Sequence, residues 1–188
     1  MRNLYLLFLL FSAAHLQACV PVIATGAATG GLVAADRRTP GTMLEDETIE
    51  TRGVYEINKQ LGDAVHVNVT GYNRRVLLTG EALTAEARQN VEAIVRSLPN
   101  TGEISNEVTV SGLSSLASRS NDTYLTSKVK GQMIYERKFQ PNHVKVVTEN
   151  GIVYLLGMVT QQEAQDAVEI ARHTDGVERV VKLFEYLP

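Results

Sequence analysis

The sequence contains two copies of one small pattern, and this repeat limits what the chain can fold into. Residues 66–70 read HVNVT, and residues 143–147 read HVKVV. An offset of 77 positions also relates Gly80 to Gly157, and an offset of 76 relates Asp46 to Asp122. A change of offset by one residue is typical of a loop insertion between two matching blocks. We therefore expect two copies of one domain-sized unit, not a short-period solenoid.

The first unit shows the pattern order α-β-β-α-β. Ile49, Gly53, Ile57 and Leu61 recur every four residues, which predicts one face of a helix that begins at an N-cap, Asp46. Alternating apolar residues then predict two half-buried strands over residues 65–69 and 76–78. A second helix capped by Thr84 and a third strand over residues 104–110 complete the unit.

The second unit repeats this order, with Asp122 as the predicted helix cap and Asn150-Gly151 as a two-residue hairpin turn. The predicted fold class is α+β, with two helices packed on a small three-stranded sheet in each unit. Equivalent positions should have equivalent burial. Ile49 is expected to be buried like Leu125, and Ile57 like Met133. Units of about 65 residues have small cores, so we expect the two copies to pack against each other.

The N-terminus has the features of a bacterial lipoprotein signal. An apolar run over residues 4–16 is too short to span a bilayer comfortably. Leu16-Gln17-Ala18-Cys19 follows and resembles a lipobox, with a small residue before the only cysteine in the chain. The resemblance implies a signal peptide over residues 1–18 and a lipidated Cys19. A plain secretory signal is the alternative, but it leaves a free thiol in an exported protein.

The rest of the chain divides by composition. Residues 19–44 start with an Ala-, Gly- and Thr-rich stretch and are interpreted as a lipid-anchored tether. The first unit is placed at residues 45–113, a linker at 114–120 and the second unit at 121–188. Val20 follows the cysteine where an inner-membrane lipoprotein has Asp. The lipoprotein resemblance therefore implies the outer membrane, with the protein lipid-anchored and facing the periplasm.

Short phrases in both units resemble the BON domain. Residues 150–157 read NGIVYLLG and precede a helix that contains Glu163-Ala164, while residues 73–80 read NRRVLLTG, with Arg74 at the turn glycine. With the lipobox and the phrase DRRTPGT at residues 36–42, the chain resembles the dual BON-domain outer-membrane lipoproteins. These are division- and outer-membrane-stress-associated lipid-binding lipoproteins. The resemblance implies a non-enzymatic protein that supports envelope integrity and binds anionic phospholipid through its second domain.

The two units differ in charge. Residues 45–70 carry six acidic and two basic side chains, whereas residues 121–147 carry two acidic and five basic ones. A basic helix suits an anionic membrane, at about 1 kcal/mol per Lys or Arg near the lipid. The residues alone leave open the alternative of a solvated helix face, and the family resemblance favours lipid. The predicted lipid-binding residues are Tyr124, Ser127, Lys128, Lys130, Gly131 and Tyr135.

Other functions find little support in the sequence. A net charge of −3 argues against a nucleic-acid partner. His66 and His143 are equivalent positions, which favours one repeated structural role over a metal site. No catalytic triad, phosphate-binding loop or carboxylate pair stands out, so we expect no enzyme, cofactor or metal. Two alternatives remain, an adaptor whose acidic first unit binds an envelope-assembly protein, and a structural spacer.

Overall fold

The computed structural model describes residues 36–188, and the predicted signal peptide, Cys19 and most of the predicted tether lie outside these residues. Each unit has the predicted order of helices and strands, and the α+β fold class is confirmed. The first unit contains α1 (Pro40–Leu61), β1 (Val65–Tyr72), β2 (Arg75–Ala82), α2 (Ala85–Arg96), β3 (Ile104–Asn106) and β4 (Thr109–Val110). The second contains α3 (Leu116–Glu136), β5 (Lys145–Glu149), β6 (Ile152–Val159), α4 (Gln161–Arg172) and β7 (Arg179–Tyr186).

Both sheets have the same topology. In the first, β2 pairs antiparallel with β1 and parallel with β3 and β4. In the second, β6 pairs antiparallel with β5 and parallel with β7. The predicted strand over residues 104–110 is interrupted at Glu107-Val108. Val108 is buried in the first core, so the chain leaves the regular pairing there and resumes it at Thr109.

The predicted starts of α1 and α3 at Asp46 and Asp122 are wrong, because both helices begin about six residues earlier. Thr39 caps α1 by accepting a hydrogen bond from the Thr42 amide, and Pro40 occupies the first turn. Ser115 caps α3 in the same way. Residues 40–44 of the predicted tether and 116–120 of the predicted linker are therefore helical.

Asp46 and Asp122 instead hold the two hairpin turns. The Asp46 carboxylate accepts hydrogen bonds from the Asn73 and Arg74 amides at 2.8 and 2.7 Å. Asp122 accepts equivalent bonds from the turn amides of Asn150 and Gly151 at 3.0 and 2.9 Å. All four turn residues have positive φ, as a two-residue hairpin turn of this type requires. Arg74 stands where the second unit has Gly151. The two hydrogen bonds that Asp46 accepts from this turn offset the backbone strain of Arg74.

The predicted duplication is confirmed by burial. Ile49 and Leu125 are 2% and 3% exposed, and Ile57 and Met133 are both 1% exposed. In each unit the two helices pack against one face of the sheet and enclose an apolar core. The predicted helix cap Thr84 is also observed, and Thr160 caps α4 in the second unit.

A third apolar cluster fills the space between the two sheets. Tyr72 and Leu77 of the first unit pack in it with Tyr154 and Leu156 of the second. The prediction of a half-buried strand is therefore wrong for β2, whose side chains are buried on both faces, and its counterpart β6 is buried in the same way. Each sheet has helices on one face and the other sheet on its second face, so the two units support each other.

Polar contacts across this layer tie the units together. The Asn68 side-chain amide donates to Glu149 at 2.9 Å, and the Asn150 side-chain amide donates to Glu81 at 2.7 Å. Glu81 and Glu149 are 1% and 5% exposed, and neither forms a salt bridge within residues 36–188. Burial raises the pKa of the Glu149 carboxyl above its ordinary value of 4.5, and the nearby charges of Glu81 and Asp122 add to the rise.

We expect Glu149→Gln to stabilise the protein at neutral pH. A raised pKa in the folded state means that folding favours the protonated carboxyl. The free energy of unfolding should therefore fall as pH rises from 4.5 through the folded pKa, and glutamine should abolish this loss. Glutamine also keeps an oxygen that can accept the Asn68 hydrogen bond.

Urea unfolding of parent and variant at pH 4 and pH 7.5 measures the difference. The stabilising effect of Glu149→Gln should be present at pH 7.5 and shrink at pH 4. Glu103→Gln is a suitable control, because Glu103 is exposed and pairs with Arg75 at the surface. An equal effect of Glu149→Gln at both pH values would contradict the raised pKa.

Candidate functional site

One face of α3 exposes large apolar side chains. Tyr124 is 62% exposed, Ile134 60% and Tyr135 80%, while Leu125, Val129 and Met133 fill the opposite, buried face. Leu116 at the start of the helix is 76% exposed. At 3.6 residues per turn these exposed residues lie along one side of the helix, and small residues separate them. The result is an apolar stripe on the surface of the second unit.

Three hydroxyl groups on the exposed side of α3 are bonded within the helix. Ser120, Thr123 and Ser127 each donate to the backbone carbonyl four residues earlier, at 3.0 Å. A hydroxyl that already has a partner costs less to remove from water than one that depends on solvent. This part of the helix surface can therefore leave water more readily than its serine and threonine content suggests.

Lysine side chains flank the stripe in different ways. Lys130 is exposed and has no carboxylate partner within residues 36–188. The Lys128 ammonium donates to the Asp175 backbone carbonyl at 2.9 Å and lies 3.5 Å from its carboxylate. Lys128 is therefore partly engaged by the α4–β7 loop. Gly131 is exposed, and a Cβ added there would contact nothing within 4 Å, so packing does not require a glycine.

The equivalent side of α1 has different residues at the stripe positions. The offset of 76 residues aligns Tyr124 with Thr48, Ile134 with Asn58 and Tyr135 with Lys59. α1 also exposes three apolar side chains, Leu44, Val54 and Tyr55, and Leu44 and Tyr55 align with Ser120 and Gly131 on the same side of the helix. The two helices occupy the same place in the same fold, so the apolar stripe on α3 is not required by the fold.

The structure exposes Tyr124, Ser127, Lys130, Gly131 and Tyr135 of the predicted site on one side of α3, with Lys128 at its edge. Sequence reasoning missed Leu116 and Ile134. Leu116 was assigned to the linker because the helix was taken to begin later. Ile134 directly follows the buried Met133. Helical spacing places it outside the buried face of Leu125, Val129 and Met133, and this spacing could have predicted its exposure.

Within residues 36–188, no group of three or more His, Cys, Asp or Glu side chains could hold a metal ion. The groove between α1 and α2, lined by residues such as Gln60, Asn90 and Ser97, contains no titratable side chain. No helix among residues 36–188 combines the length and apolarity needed to cross a bilayer.

Comparison with known proteins identifies the family. The BON domain pattern matches residues 46–112 and 121–188, which together cover most of the chain. The chain belongs to the BON-domain family. The outer membrane lipoprotein DolP of Haemophilus influenzae is 39% identical over 184 residues, which cover 97% of this chain and 95% of DolP. The 21 kDa hemolysin of Actinobacillus pleuropneumoniae is 33% identical over 154 residues, or 81% of this chain and 79% of the hemolysin.

Among solved structures, the C-terminal domain of the type III secretion protein CdsD of Chlamydia trachomatis covers 78% of this chain. It matches over 98% of its own length with a TM-score of 0.31 and 14% identity. The predicted resemblance to dual BON-domain lipoproteins is confirmed by the two domain matches and by the near full-length likeness to DolP. The likeness to DolP and the two BON domains support an outer-membrane lipoprotein role for the chain.

Proposed function

We propose that this protein is lipid-anchored at Cys19, faces the periplasm and binds anionic phospholipid through α3 of its second BON domain. In this role it supports envelope integrity by binding, without catalysing a reaction. The observation that carries the proposal is the exposed apolar stripe Leu116, Tyr124, Ile134 and Tyr135. At the positions aligned with the last three of these residues, α1 has polar side chains. Exposed apolar and aromatic side chains of this kind can insert among the lipids at the membrane interface.

The electrostatics support an anionic surface. α3 and the following loop carry five basic and two acidic side chains. Tyrosine has an apolar ring and a polar hydroxyl, which suits the boundary between headgroups and acyl chains. A lysine such as Lys130 can extend its ammonium to the headgroups while its methylenes stay beside the apolar stripe. Added salt should weaken the electrostatic part of the binding.

Lipidation has a direct test. We expect a fatty-acid probe supplied to cells to label the full-length protein through Cys19, the only cysteine in the chain. Two or three acyl chains give stable attachment, whereas one chain alone holds a protein only marginally. Cys19→Ala should abolish the label. Labelling that persists in Cys19→Ala would show that the predicted lipobox does not direct acylation.

Lipid binding is tested with the mature chain carrying Cys19→Ala, so that no acyl chain contributes. We expect it to bind vesicles containing phosphatidylglycerol and not vesicles of phosphatidylcholine alone. Tyr124→Glu should weaken this binding about tenfold, because it removes an aromatic ring from the interface and adds a carboxylate beside anionic headgroups. Tyr124 is exposed, so the core of Leu125, Val129 and Met133 remains intact.

The matched control is Thr48→Glu. Thr48 is the exposed counterpart of Tyr124 on α1, and its replacement should leave vesicle binding almost unchanged. Lipid-induced NMR shifts should map to α3. Shifts that cluster on the first domain, or full binding by Tyr124→Glu, would overturn the site. Such a result would favour the adaptor alternative, in which the first domain binds an envelope-assembly protein.

A further inference from the structure

The short segment before α1, residues 36–39, lies across both domains although it is joined in sequence to the first. The Arg37 guanidinium forms its hydrogen bonds with the second domain, among the residues that the structure describes. It donates to the Met158 carbonyl at 2.7 Å and to both carboxylate oxygens of Glu163 at 2.7 and 2.9 Å. A two-pronged bond of this kind fixes the orientation of both side chains as well as their distance.

Glu163 is held in place to receive Arg37. Its carboxylate accepts the Thr160 amide at 2.8 Å in a capping box at the start of α4, and it lies 3.1 Å from Nδ1 of His143. The hydrogen bond from Arg37 is the main cause that lowers the pKa of Glu163 to about 2. The side chains of Arg37 and Glu163 are 25% and 15% exposed, so solvent reaches the pair only in part.

Arg38 points to the first domain. Its guanidinium contacts Asp46 at 2.9 Å and Asp36 at 2.8 Å, and its central carbon lies 4.2 Å from the centre of the Tyr72 ring. Tyr72 belongs to the apolar layer between the two sheets, and its hydroxyl lies 3.5 Å from the Met158 amide. Two successive arginines thus contact opposite sides of the same domain boundary.

We propose that Asp36, Arg37 and Arg38 form a clasp that locks the two domains together and attaches the end of the tether to the second domain at Glu163. The tether is covalently continuous with the first domain. Through the clasp, tension on the tether also acts on the second domain. This inference rests on contacts within the folded protein and stands whether or not α3 binds lipid.

Trypsin gives a direct test, since it cleaves after Arg37 and Arg38. We expect brief digestion of the mature, folded chain to cleave these two bonds slowly, because the clasp holds the backbone. Glu163→Gln leaves both cleavage sites in place and removes the charged partner of Arg37. Cleavage after Arg37 and Arg38 should become about tenfold faster, as expected for the loss of charge-assisted hydrogen bonds.

A second variant avoids any effect on the α4 cap. Arg37→Lys keeps the charge and the cleavage site but loses the two-pronged geometry, so its cleavage rate should lie between those of the parent and Glu163→Gln. Glu103→Gln is the control, because it also removes the carboxylate partner of an arginine, Arg75. Glu103 is exposed at the surface and lies far from the clasp in sequence. It should leave cleavage after Arg37 and Arg38 unchanged.

Cleavage after Arg96, at the end of α2, serves as an internal reference in every digest. Equal acceleration at Arg96 and at Arg37 in Glu163→Gln would mean that Glu163 only supports global stability, and would overturn the clasp. Rapid cleavage after Arg37 in the parent, at the rate of the variant, would overturn it as well.

Discussion

Gly80→Ala is expected to destabilise the first BON domain by about 3 kcal/mol or more, from backbone strain and overpacking together. Gly80 has a φ of +115°, a region that side chains with a Cβ rarely adopt. A Cβ there would also overlap the backbone carbonyl of His66 on β1. The neighbouring strand cannot retreat, because β1 and β2 are paired along their full lengths.

Urea unfolding measures this loss, and Gly131→Ala is the matched control. A Cβ at Gly131 contacts nothing within 4 Å, and alanine has the higher helix propensity, so this variant should be more stable by about 0.5–1 kcal/mol. Gly157, the counterpart of Gly80, has the same close approach to the carbonyl of His143. A free energy of unfolding for Gly80→Ala within roughly 1 kcal/mol of the parent value would contradict the close contact between Gly80 and the His66 carbonyl.

Asp122→Ala is expected to lower the free energy of unfolding by about 2–4 kcal/mol, the second large effect. The variant leaves the amides of Asn150 and Gly151 without their acceptor and removes the tie between α3 and the β5–β6 turn. The variant also removes the repulsion between Asp122 and Glu149, which should stabilise the folded protein by a smaller amount. Thermal or urea unfolding followed by circular dichroism measures the net change.

Asp175→Ala is the control for Asp122→Ala. The Asp175 side chain is 96% exposed and lies 3.5 Å from the Lys128 ammonium, and an ion pair of this kind contributes little to stability. Its replacement should change the free energy of unfolding by no more than about 0.5 kcal/mol. Equal effects of the two aspartate variants would contradict the turn-holding role of Asp122.

The sequence was sufficient for the order of elements, and insufficient for the starts of two helices. Asp46 and Asp122 are good helix caps in isolation, because aspartate accepts hydrogen bonds from free amides. In the folded chain the free amides that they meet belong to hairpin turns about 28 residues later. Local pattern cannot distinguish these two groups of donors, since the choice depends on tertiary packing.

The two-sided burial of β2 and β6 did leave a signal in the sequence. Val76-Leu77-Leu78 and residues 153–156 are continuous apolar runs, which are typical of strands buried on both faces. The alternating residues around them led to the prediction of half-buried strands. For the lipid-binding site, charge divergence and tyrosine positions indicated α3 as the helix to examine. To predict that Leu116 and Ile134 are exposed, one needs to know where that helix begins and which of its sides faces the core.

The apolar layer between the sheets also bears on how such a chain arose. Leu77 and Tyr154 are equivalent positions in the two copies, and both lie in this layer. A single ancestral copy with the same apolar face would have exposed it to water unless a second copy covered it. Gene duplication and fusion would then have joined partners that already associated. The outer helices α1 and α3 lie outside this shared layer, so the two copies can differ in their outer helices while their inner faces stay apolar.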